Sequence, residues 1–155
     1  MIEARLLAVA HDLSRRTGRR PREAFMRRAV STAYYAMFHA LARLCADQLV
    51  GGIHAKTAAW ARVRHALDHK LAKTILCSVE AAGLASEIVA FGEAFALLQE
   101  RRHQADYDPA PFRYYFNQTA ALINLAETAI HGLIRSVRTS VVHSLLSVFL
   151  SSAEP

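Results

Sequence analysis

The chain has 155 residues, 53% of them hydrophobic, which is enough to bury one continuous core without help from a metal or disulfides. Its two cysteines, Cys45 and Cys77, sit in apolar helical patterns with no CxxC spacing; this excludes a disulfide scaffold and a cysteine-based zinc site and fits a reducing, cytoplasmic setting. The N-terminal stretch lacks the order of a signal peptide, and the longest apolar run, SVVHSLLSVFLSS, falls short of the roughly 20 residues a membrane span requires.

Five helical segments are expected in chain order. The first, Ile2 to about Arg16, places Leu6, Val9, Ala10 and Leu13 on one face and stops before Thr17 and Gly18. Pro21 opens the second at a first-turn position, and Val30, Ala33, Tyr34, Met37, Phe38, Leu41, Leu44 and Cys45 recur at steps of three and four until Gly51 and Gly52 break it. A third helix is expected from about Lys56 to Cys77, with Trp60, Val63, Leu67, Leu71 and Leu76 inward. After Gly83, a fourth carries Leu84, Ile88, Phe91, Phe95 and Leu98 to a stop near Tyr107, where Asp108, Pro109 and Pro111 force a turn. The fifth starts around Phe112 and repeats Tyr115, Leu122, Ala126, Ala129, Leu133 and Val137, weakened by Gly132. With no convincing period-two stretch, this predicts one all-α domain over 1–155, an antiparallel bundle of four to five helices.

Charge is unevenly placed. The net +6 is concentrated in residues 1–28, where Arg5, Arg15, Arg16, Arg19, Arg20, Arg22, Arg27 and Arg28 face only Glu3, Asp12 and Glu23. Arginine binds phosphate bidentately and displaces its counterions, so such a cluster suits a polyanion; it is equally compatible with a solvated basic turn between two helices.

Two motifs stand out. AVSTAYYAMFHALARL, ending at Leu44, lies on the second helix, and LLQERRHQADYD closes the fourth. In this order and spacing they resemble the HEPN family of nucleotide- and RNA-associated helical domains, most strongly over residues 20–135, with 138–155 as a C-terminal extension. In the family's active members the second motif carries an arginine and a histidine that cut RNA across a dimer. Mapped onto this chain, Arg102 matches the arginine, His103 follows it, and Tyr107 stands where the histidine belongs. Metal-independent RNA cleavage needs a base for the 2′-hydroxyl proton, and a phenol with a pKa near 10 serves poorly. The resemblance therefore implies a catalytically degenerate binding module for RNA or a nucleotide, forming a homodimer and partnered with a nucleotidyltransferase in a toxin–antitoxin or defence system. An active ribonuclease toxin using Arg102, His103, Asp106 and Tyr107 is one alternative, and a purely structural dimeric adaptor is another.

Helical geometry adds its own reading of the same residues. Arg102 lies one turn from Asp106, and His103 one turn from Tyr107. Because Arg102 continues the apolar stripe of Phe95 and Leu98, it needs a partner, and an ion pair to Asp106 competes with phosphate binding as its role. On the second helix, Arg28, Thr32, Tyr35, His39 and Arg43 form a polar stripe beside the core face, suited to a dimer interface or to stacking a base; Arg28, Tyr35, His39, Arg43 and Arg102 are the candidate ligand contacts. No metal or cofactor is expected. A single ExxH at Glu100 and His103 falls short of a di-iron bundle, and His65 with His69 lacks a third ligand. The apolar segment 139–150 is expected to be covered, either by the bundle itself or at a homodimer interface.

Overall fold

A computed structural model describes the backbone of residues 1–16, 22–55, 57–79, 86–112 and 115–136, and their side chains except at 71, 75 and 77–79. Every regular element among them is helical: α1 (Ile2–Arg15), α2 (Arg22–Ala46), α3 (Ala58–Ala66), α4 (His69–Val79), α5 (Ser86–Tyr107) and α6 (Phe116–Ser136). A π-helical turn, Asp47–Gly51, and a 3-10 turn, Gly52–His54, follow α2 directly. No helix among the described residues is long and apolar enough to cross a membrane. The apolar segment 139–150 and the rest of the C-terminal extension lie outside the described residues.

The chain divides into two compact units. The first consists of Met1–His39 and Ala94–Ala129. Its core is the apolar stripe of α2, with Val30, Tyr34 and Met37 fully buried, together with Phe95 and Leu98 of α5 and Ile123 of α6. Here α2 and α5 run antiparallel: Arg27 reaches Ala105, Ser31 reaches Asp106, Tyr35 reaches Arg102, and the ring of Tyr34 meets that of Phe95 at 5.2 Å between centroids. His11 of α1 lies 3.3 Å from Glu127 of α6.

The second unit is drawn from Ala40–Glu93 and Ile130–Pro155, over their described residues. Leu41, Leu76, Ile88, Phe91, Ile130 and Leu133 form its core. Gly51, at φ 95°, takes the left-handed conformation that ends the π-helical turn, a position where a side chain would strain the backbone. Gly92 lets α5 pass close to α4, since a Cβ there would sit 3.2 Å from the Leu76 carbonyl oxygen.

Three expectations from sequence need correction. The single third helix is two, parted where Leu67 turns extended at ψ 121° and Asp68 stands just before α4, its carbonyl accepting from the Ala72 amide. The buried face of α1 is Glu3, Leu7, Ala10 and Ser14, whereas Val9 is 47% exposed. α6 begins at Phe116 instead of Phe112, because the Tyr115 carbonyl caps it by accepting from the Gln118 and Thr119 amides while Gln118 Oε1 accepts from the Tyr115 amide. Tyr115, expected inward, is thus left 77% exposed.

Candidate functional site

The two motifs meet in the first unit through Arg102. It projects from the penultimate turn of α5 at the end of the Phe95 and Leu98 stripe, and its side chain is only 18% exposed. Nη2 donates to the Tyr35 hydroxyl of α2 at 2.9 Å, and Nε stands 2.9 Å from Asp106 Oδ2. The Nε–H does not point along that second contact, which is therefore an ion pair without a hydrogen bond. Three aromatic rings surround the guanidinium, with centroids at 5.8 Å for Tyr34, 5.4 Å for Tyr35 and 5.5 Å for Tyr107.

This setting decides the protonation states. Burial opposes charge on Arg102, but the oxygens of Tyr35, Asp106 and Tyr107 outweigh it and raise its pKa, so it is a permanent cation. Burial also pushes the Tyr34 phenol up, against the opposing pull of Arg102, so Tyr34 stays neutral. Asp106 receives a second contact from the Ser31 hydroxyl at 3.2 Å, and its side chain is 19% exposed although the residue as a whole is open at the helix end. The outer face consists of His103, exposed, and Tyr107, 64% exposed, their rings 5.1 Å apart and tilted at 47°.

Below this face, the end of α5 is held by Arg27. Its Nη1 donates to the carbonyls of Gln104, Ala105 and Asp108, its Nη2 to that of Ala110, and Nε and Nη2 both reach Glu23 Oε1. The guanidinium also lies over the Phe112 ring, 5.0 Å from its centroid. Gln104 and Ala105 lie in the last turn of α5, where Gln104 O also accepts from the Asp108 amide, and Asp108 and Ala110 lie just beyond it, so Arg27 caps the C-terminus of α5 and ties down the turn that follows. Glu23 Oε1 accepts from the Phe112 amide as well; that bond, then Arg27, holds its carboxyl below the ordinary range. The turn after Tyr107 is thereby fixed to the start of α2.

The structure thus brings together Tyr35, Arg102, His103, Asp106 and Tyr107 of the residues singled out by sequence. Arg28 is exposed on α2, where its carbonyl accepts from Thr32, and His39 is half-buried with its ring 5.9 Å from that of Phe38. Arg43 belongs to the second unit, where it pairs with Asp47 at 2.9 Å; Asp47 also accepts from Trp60 Nε1 at 2.8 Å. Three contributors were missed: Ser31, Tyr34 as a ring against the guanidinium, and Arg27. The signal for Ser31 was present, since a serine on a core-facing helix stripe must find a buried partner.

Other chemistry finds little purchase. His65 lies in the last turn of α3 and His69 begins α4, so the helix break separates two residues that one continuous helix would have stacked. Among the described residues no group of His, Cys, Asp and Glu comes together that could hold a metal ion. Cys45 is buried and its thiol is pushed up to about 12, which removes it as a nucleophile near neutral pH. No family model, curated protein or solved structure matches the chain.

Proposed function

We propose that the protein is a HEPN-like binding module for RNA or a nucleotide that has lost the cutting chemistry of the family it resembles. The observation that carries this is the joining of the two motifs: Arg102 of RRHQADYD bonds Tyr35 of AYYAMF and backs an outward pair of rings, His103 and Tyr107. Exposed rings next to fixed positive charge are what unpaired bases stack on. Arg102 itself is committed inside the protein and its charge is balanced by Asp106, so its role is to position Tyr107, and the positive charge offered to a ligand is that of Arg28. Contact with the ligand falls to Tyr107, His103 and Arg28.

No base suited to removing the 2′-hydroxyl proton stands at position 107, so the module binds and does not cut. Titration of fluorescein-labelled pentauridylate at low salt tests the binding; Tyr107→Ala lowers affinity roughly tenfold, the size of one lost stack. Total RNA incubated with the protein without metal stays intact. Metal-independent cleavage abolished by Arg102→Ala would instead establish the ribonuclease, and failure to bind any RNA or nucleotide would leave the structural adaptor. A homodimer and a nucleotidyltransferase partner in a toxin–antitoxin or defence setting are the company this reading implies; a stable monomer in light scattering would remove the first.

A further inference from the structure

α5 ends at Tyr107 without the usual means of closing a helix. The last turn of a helix leaves carbonyls with no partner inside it, and main-chain amides just past the end commonly take them up around a glycine at the second position beyond. Here that position is Pro109, which has no N–H; Pro111 has none either, and the Ala110 amide is given to Asp108 Oδ1 at 2.9 Å. Of residues 108–111, Asp108 alone returns its amide to α5, at the Gln104 carbonyl. Arg27 supplies from α2 what this stretch of main chain cannot. Its Nη1 donates to the carbonyls of Ala105 and Asp108, which bracket Tyr107, at 3.1 and 2.8 Å, and its Nη2 to that of Ala110. With Nε and Nη2 also donating to Glu23 Oε1, every N–H of the guanidinium is engaged inside the protein, and the side chain is 19% exposed. None is left to turn toward a phosphate. The Tyr107 ring, 64% exposed, meets the guanidinium of Arg102 and the ring of His103, both on its own helix. Where that ring points therefore depends on the last turn of α5 staying wound.

Resting on the binding function proposed above, we infer that Arg27 is the positioning residue of the ring face: by closing α5 ahead of two prolines it holds Tyr107 beside His103, without touching the ligand. The fork of the guanidinium matters here, more than its charge. A lysine keeps the charge but offers one nitrogen, which cannot span carbonyls on both sides of Tyr107 and hold Glu23 as well.

The test titrates Arg27→Lys and Arg27→Gln with labelled pentauridylate at several salt concentrations, at a temperature where circular dichroism shows them folded. The His103 Hε1 resonance is followed by NMR without ligand. Both variants are expected to lose roughly tenfold in affinity, the size of one stack, with the slope of log affinity against log salt unchanged, and the His103 signal moves as the Tyr107 ring leaves it. Adding Pro109→Gly to Arg27→Lys returns a main-chain donor and a left-handed position to the helix end, and should recover most of the affinity and of the His103 signal. If Arg27 instead touched a phosphate, Arg27→Lys would bind nearly as wild type does and Arg27→Gln would flatten the salt slope by about 0.7. That pattern overturns the positioning role, and so does an unmoved His103 signal in a folded variant or a double variant no better than Arg27→Lys. If Arg27→Gln does not fold, Arg27→Lys decides alone. If the wild type binds no pentauridylate, the binding function falls, and the His103 signal still decides whether Arg27 positions the ring.

Discussion

Each unit contains an arginine followed four residues later by an aspartate. Arg102 and Asp106 lie 2.9 Å apart, with side chains 18% and 19% exposed; Arg43 and Asp47 lie 2.9 Å apart, with both side chains 21% exposed. In both, the acid falls near a helix C-terminus, where the helix dipole disfavours it, and follows the base, the weaker of the two orders. A donor from a second element compensates each time: Ser31 Oγ for Asp106, Trp60 Nε1 for Asp47. What differs is the surroundings. Asp47 opens the π-helical turn, and the ring it binds is 9% exposed, so that pair closes a structural corner. Arg102 is flanked by a ring that is 64% exposed, so the same pair underlies a face turned outward. The geometry of an ion pair does not distinguish structure from function; the exposure of what it supports does.

Removing each partner tests the comparison. Arg102→Ala leaves Asp106 and the Tyr35 hydroxyl without their cation and opens space between three rings; it should cost about 3 kcal/mol, the low end for breaking a buried pair because this one is partly exposed. Urea unfolding measures it, and RNA affinity should fall as well. Asp47→Ala strands Trp60 Nε1 and Arg43 and should cost about 2 kcal/mol, with RNA affinity unchanged. An affinity loss in Asp47→Ala matching that in Arg102→Ala would erase the distinction between the pairs.

A third pair sharpens it. Glu23 and Arg27 are in the favourable order, acid first, at 2.8 Å, with Glu23 50% exposed. Because the folded protein holds the Glu23 carboxyl below its ordinary value of 4.5, the stabilisation is present above that value and is lost as pH falls through the lower, folded one. Thermal melts from neutral to acid pH should show Glu23→Gln less stable than wild type near neutrality and indistinguishable from it at the acid end. A gap that persists in acid would mean that the Phe112 and Arg27 contacts do not depend on the carboxylate charge.

How much of this was legible in the sequence depended on whether one phase of the pattern dominated. α2 and α5 each offer one clean stripe, and Tyr34, Met37, Phe91, Phe95 and Leu98 are buried as their spacing predicts. α1 offers apolar residues at 6, 7, 8, 9 and 10, so two faces compete, and the face that wins carries Glu3 and Ser14. The break between α3 and α4 has neither glycine nor proline to announce it; its only mark is Asp68, a residue type favoured at helix starts. Within the site, Arg102, Asp106 and Tyr107 follow from i and i+4 spacing. Arg27 was grouped with the arginines suited to phosphate, and only tertiary structure reveals it as the cap of a helix many residues away. Local spacing carries contacts along one helix; contacts between helices need the fold.

On the proposed function, the outward face at Tyr107 binds and the inward corner at Asp47 does not. Titrating labelled pentauridylate at low salt against Tyr107→Ala and Asp47→Ala, with a melting curve for each, tests it most directly. Tyr107→Ala should lose roughly tenfold in affinity at nearly unchanged melting temperature, while Asp47→Ala should melt lower and bind as wild type does. Tyr107→Ala binding as tightly as wild type would contradict it.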